Sequence, residues 1–129
     1  MLVIWMAGKA GLIPGLMIRA AAMVRIVEGE EAGILTLVMP GTGEVLRGDI
    51  TSQTELVLSN VRAILEAAGS SLDRVVKTNV YLDRIEDFAA MNAVYATFFP
   101  ENPPARTTIE AANLPLGIGV EIDVIALEG

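Results

Sequence analysis

Cysteine and histidine are both absent from this chain of 129 residues. Their absence excludes disulfides, thiolate nucleophiles, Cys/His zinc sites and a Ser-His-Asp triad. Any catalysis must run on carboxylates, arginine, lysine, hydroxyls, backbone groups and water, with no metal or cofactor implied. Basic charge is scarce too: nine Lys and Arg against sixteen Asp and Glu give a formal net charge of −7. The cations are scattered, whereas a footprint on a phosphate backbone needs several that converge. Nucleic acid is therefore not an expected partner. Long apolar runs are missing as well. Lys9, Pro14, Arg19 and Arg25 interrupt the apolar N-terminus, and no run reaches the roughly 18 residues that span a bilayer. No membrane partner is expected. A chain without cysteine suits the cytosol, the expected compartment, with a mitochondrial location left open.

What is present is apolar. Hydrophobic residues make up 53% of the chain and mean hydropathy is +0.54. The length fits one domain over residues 1–129, and the excess apolar surface suggests burial between subunits. From Thr51 to Ala68, residues Val57, Val61, Ile64, Leu65 and Ala68 recur at helical spacing, with Ser52 and Glu55 as a capping box and Gly69 as the C-terminal glycine. Arg74 to Leu82 alternates like a strand, with Val76, Thr78, Val80 and Leu82 on one face. Asp83 and Glu86 suggest a second capping box before a helix striped by Phe88, Met91, Tyr95 and Phe98, closed by Pro100, Pro103 and Pro104.

The C-terminal stretch PPARTTIEAANLPLGIGVEIDVIAL reads as two strands around Leu114-Pro115-Leu116-Gly117. Val120, Ile122, Val124 and Ala126 share one strand face, Glu121 and Asp123 the other. Arg106 opens the first strand, so a cation and a carboxylate are expected on neighbouring strands at the edge of an apolar core. Upstream, Pro40-Gly41-Thr42-Gly43 reads as a turn between strands Ile34–Val38 and Glu44–Leu46. Residues 16–27 could be a strand or a helix by periodicity, with ordinary core strands the expectation. The order predicts an α+β sheet with both helices on one face.

PGTGEVLRGDI, NVRAILEAAGSSLDRVVKTNVYL, EDFAAMNAVYATFF, PPARTTI and LPLGIGVEIDVIAL, spread over about residues 40–127, resemble successive signatures of the RidA (YjgF) family of reactive-intermediate, or 2-imino acid, deaminases. The resemblance implies a chorismate-mutase-like fold: a curved six-stranded sheet with two helices on one face, assembled as a homotrimer with clefts between subunits. It also implies roles. Arg106, in the position of the PAR arginine, is expected to clamp the substrate carboxylate, and Glu121 to position or activate water. Thr108 and Asn92 are expected to line the cleft around a small 2-imino or 2-keto acid. Asp123 is expected to be structural, Tyr95 and Met91 core, and Lys77 a solvated charge.

Residues 1–39 depart from the family pattern. There is no GPYSQ, and Gly33-Ile34-Leu35 stands where SGQ is expected. Either this chain lacks that polar wall of the cleft, or the segment arises from a shifted reading frame. Two functions follow: hydrolysis of 2-imino or enamine acids to 2-keto acids and ammonia, by an enzyme of the 2-iminobutanoate/2-iminopropanoate deaminase type, or a trimeric keto-acid-binding or regulatory protein without catalysis. RNA cleavage fits poorly with the charge and the missing histidine.

Overall fold

A computed structural model describes residues 2–4, 22–23, 46–67 and 69–127. Helix α1 spans Ile50–Ala67 and helix α2 spans Phe88–Phe98. The strands are β1 (Leu2–Ile4), β2 (Ala22–Met23), β3 (Val75–Leu82), β4 (Ala105–Glu110) and β5 (Val120–Ala126). They form one mixed sheet in the order β1-β5-β3-β4, with β2 also paired to β5. The fold is α+β. The strand-turn-strand expected over residues 34–46 lies outside the described residues apart from Leu46, which is in a loop, and so does Gly33-Ile34-Leu35. Of residues 16–27, only Ala22–Met23 is described, as strand.

Helix α1 starts one residue earlier than its apolar pattern indicates, because the cap is Asp49. Its carboxylate accepts from the Ser52 N–H and the Ser52 hydroxyl, both at 2.9 Å. The expected Ser52–Glu55 capping box is therefore displaced by three residues. Gly69, at φ +79°, ends the helix. The Ser70 N–H donates to the Leu65 carbonyl and the Gly69 N–H to the Glu66 carbonyl, the paired bonds of a Schellman motif.

Val57, Leu58, Val61, Ile64 and Leu65 are fully buried and meet Met91 and Tyr95 of α2 in one cluster with Val80, Leu82, Val120, Ile122 and Val124. Both helices thus cover one sheet face. Each such side chain contributes roughly 1.5–3 kcal/mol when fully buried. The β3 pattern is broken at its start: Val75 pairs with Ala126 and Lys77 with Ile125, so Val76 is the extra residue of a bulge. Val75 enters the core in place of Val76, which is 42% exposed.

The expected Asp83–Glu86 capping box does not form. Glu110, at the end of β4, reaches across instead, and its carboxylate accepts from the Ile85 N–H at 2.7 Å. Strands β3 and β4 run parallel and α2 is their crossover, while β3 and β5 run antiparallel. Gln53 ties α1 to the start of β5: its Nε2 donates to the Gly48 carbonyl at 2.9 Å and its Oε1 accepts from the Gly119 N–H at 2.8 Å. A Cβ on Gly119 would stand 3.2 Å from Ile50 Cδ1 and 3.3 Å from Gln53 Oε1, so that approach requires glycine. Among the described residues, no helix is long and apolar enough to cross a membrane.

Candidate functional site

Arg106 follows two prolines and lies opposite Thr78 on β3. Directly paired residues project to the same sheet face, and Thr78 faces the helices, its hydroxyl 2.8 Å from the Tyr95 hydroxyl. Arg106 therefore points toward α2, where Phe88, Asn92 and Tyr95 recur at i, i+4 and i+7 along one helix face. These three side chains form a cradle. The Arg106 Nη1 donates to Asn92 Oδ1 at 2.7 Å. Its Cζ lies 4.5 Å from the Tyr95 ring centroid and 5.5 Å from that of Phe88. Burial pushes the Tyr95 phenol up, while its bond to Thr78 and the nearby guanidinium pull the other way. Among the described residues, no carboxylate forms an ion pair with Arg106.

Thr108 follows two positions later on the same face, opposite Val80. Its Oγ1 is buried without a hydrogen-bond partner among the described residues. Arg106 and Thr108 thus share the sheet face that α2, with Asn92, covers.

Glu121 does not join them. The expectation of neighbouring strands for Arg106 and Glu121 is overturned: β3 lies between β4 and β5. Glu121 pairs with Tyr81, three residues along from Thr78, and so projects from the face opposite α1 and α2. A crossover helix joins β3 to β4 in parallel, so β5 takes the other edge of β3; residue alternation alone does not reveal that order. On its own face Glu121 is only 8% exposed. Burial, followed by the charge of Asp123, pushes its carboxyl above the usual carboxylate value. Asp123 accepts from Asn79 Nδ2 at 2.7 Å and from the Tyr81 hydroxyl at 3.3 Å. Burial, then Asp123 and its hydrogen bond, then Glu121, push the Tyr81 phenol up.

Phe88 and Tyr95 were legible only as core positions. Tyr95 is core, yet its ring also seats the guanidinium, and Phe88 is 38% exposed beside it. Their i, i+4, i+7 spacing with Asn92 is the signal that marks the cradle. A separate polar cleft of about 530 Å³ lies at the start of α1, lined in part by Arg47, Asp49, Asp83 and Arg84. It includes none of Arg106, Asn92, Thr108 or Glu121. Among the described residues, no cluster of three or more His, Cys, Asp or Glu side chains could hold a metal ion.

Comparison with known proteins agrees with this architecture. Residues 32–128 match the family described as Endoribonuclease L-PSP, a match that begins upstream of the motifs themselves. A RutC family protein of Pyrococcus horikoshii is 53% identical over 87 residues, which cover 67% of this chain and 69% of that protein. The crystal structure of RidA from an Antarctic Psychrobacter superposes with a TM-score of 0.66 at 44% identity, covering 69% of this chain and 72% of that one. The structure of Escherichia coli TdcF with bound serine gives a TM-score of 0.67 at 38% identity, covering 71% and 74%. The chain belongs to this family, the RidA/YjgF/RutC proteins.

Proposed function

We propose that this family member, as a single domain over residues 1–129, hydrolyses 2-imino or enamine acids to 2-keto acids and ammonia. Family membership suggests imine-deaminase or endoribonuclease-like activity. The observation that carries the first is the Arg106 cradle. Asn92 takes one Nη1 donor and Tyr95 supports the guanidinium plane, which leaves donors for a planar, bidentate carboxylate. Each charge-assisted bond of this kind contributes roughly 1.5–3 kcal/mol. Thr108 Oγ1, without a partner among the described residues, supplies a further polar contact. A net charge of −7 and the lack of histidine disfavour RNA as substrate.

The chemistry asks little of the protein, because an imine carbon is already electrophilic. Glu121, whose carboxyl is held above its ordinary range, gives its proton to the imine nitrogen. The resulting glutamate takes a proton from water as the water oxygen bonds to carbon. Glu121 then protonates the amine of the carbinolamine. The C–N bond breaks to release ammonia, and the hydroxyl proton returns to Glu121 as the keto group forms.

Arg106 and Glu121 face opposite sides of one sheet, so a site using both combines Arg106 of one subunit with Glu121 of the partner subunit. This supports a homotrimer with clefts between subunits, built on a six-stranded curved sheet. Val76 and Ile109, 42% and 47% exposed, are the apolar side chains such packing would cover. A competing reading, capture of a small carboxylate without chemistry, draws on the serine bound to TdcF. The deciding experiment generates a 2-imino acid in situ and measures ammonia and keto-acid release with and without the protein, alongside its mass in solution. Acceleration by a trimer is the expected result. Keto-acid binding without acceleration would favour the competing reading, and a stable monomer would remove the shared cleft.

A further inference from the structure

Arg106 is seated by two contacts, and neither fixes it alone. The Nη1 bond to Asn92 is a single point about which a planar guanidinium can pivot. The Tyr95 ring, its centroid 4.5 Å from Cζ, removes that freedom only where the ring itself is held. The ring packs against Phe99 with 4.7 Å between centroids and a tilt of 37°, and an apolar contact of this kind permits sliding. The directional hold is at the Tyr95 hydroxyl, which shares a 2.8 Å hydrogen bond with the Thr78 hydroxyl. Among the described residues neither hydroxyl has another partner.

We infer that Thr78 is a positioning residue: through the Tyr95 hydroxyl it fixes the plane of the Arg106 guanidinium, and so the direction of its free donors. The inference rests on the reading of Arg106 as the carboxylate clamp.

Thr78 is fully buried, so it cannot touch a bound acid and acts only through Tyr95. Its place suits that task. It stands in one row between Arg106 of β4 and Val124 of β5, and a strand paired on both sides is among the last segments to open. Its residue type suits it too. Val80 and Leu82, on the same face of β3, are apolar and fully buried. A valine at position 78 would fill nearly the same space, so packing alone does not call for threonine; the hydroxyl does. Without that hydroxyl the Tyr95 phenol, on a side chain only 4% exposed, is left unsatisfied. It then turns toward water, and the ring face leaves the guanidinium.

The test uses Thr78→Val, Tyr95→Phe and the variant carrying both, in the full chain. Thermal midpoint and pyruvate affinity are measured on each, the latter at a temperature where all are folded. Each single variant strands one buried hydroxyl and should be destabilised, whereas removing both hydroxyls should restore much of the midpoint. Pyruvate affinity should nevertheless stay about 2–10-fold below wild type in all three. Thr78→Ser, which keeps the hydroxyl, should retain most of the affinity. Wild-type affinity in Thr78→Val, or in the double variant, overturns the inference. If Thr78→Val does not fold, Tyr95→Phe breaks the same bond and is read by the same criterion. If wild type binds no pyruvate, the clamp reading fails, and proton–nitrogen NMR of the Arg106 Nε–H, assigned by its loss in Arg106→Lys, still decides the role of Thr78. A signal that moves in Thr78→Val and in the double variant but stays in Thr78→Ser supports the role, and any other pattern overturns it.

Discussion

Replacing Arg106 by alanine is the sharpest perturbation, because the side chain has a structural and a chemical part that separate by magnitude. In the resting chain Arg106 makes one hydrogen bond to Asn92 and lies over the Tyr95 ring. A hydrogen bond contributes about 0.5–1.5 kcal/mol net and an exposed cation–π contact about 0.5–1 kcal/mol. Arg106→Ala should therefore lower stability by about 1–2.5 kcal/mol, a fall of several degrees in thermal midpoint for a chain of this size. Loss of the carboxylate clamp is larger. Removing one oriented donor set from a closed site costs about 10²–10³ in rate. Arg106→Lys restores the charge without the planar fork and should recover only part of it. The assay is imine hydrolysis at a temperature where all three proteins are fully folded, with 2-keto acid affinity measured in parallel. An Arg106→Ala protein that deaminates within about threefold of wild type would refute the clamp, since loss of such a contact cannot leave the rate so nearly intact.

Glu121→Gln should reduce turnover far more than it reduces 2-keto acid affinity; equal losses in both would reduce Glu121 to a structural role. The same variant tests linkage. A carboxyl whose folded value is raised above 4.5 binds more protons folded than unfolded, so its contribution is full below the unfolded value. That contribution is lost as pH rises through the folded value. The thermal midpoint of Glu121→Gln relative to wild type should thus be higher at pH 8 than at pH 4, and a pH-independent difference would contradict the shift. Gly69→Ala places a Cβ at φ +79° with no atom within 4 Å to clash, so only backbone strain is added. It should cost about 1 kcal/mol by urea denaturation, with Gly69→Asn milder; no loss in either would mean the helix end does not depend on that conformation.

Helix α1 was legible in the sequence because its apolar spacing and terminal glycine are local signals. Its cap was misplaced since Asp49 and Ser52 both carry capping chemistry, and only the chain path shows which carboxylate or hydroxyl meets the free N–H. The faces of β5 were legible from alternation, and the Val76 bulge was not, because Val75 and Val76 are the same residue type and alternation cannot show which of them enters the core. For the site, Arg106 bonds Asn92, and Thr108 follows Arg106 on the same strand face. The separation of Glu121 from them was hidden, because strand order depends on a long-range crossover that no local pattern encodes.

The Glu110–Ile85 bond joins the end of β4 to the turn that precedes α2. Everything that seats the guanidinium then lies in one unbroken stretch, Val75 to Glu110: Thr78, Phe88, Asn92, Tyr95, Arg106 and Thr108. A stretch of that kind behaves as an inheritable cassette. Chains that share it present the same cation in the same setting. Change outside the cassette leaves the setting of the guanidinium untouched.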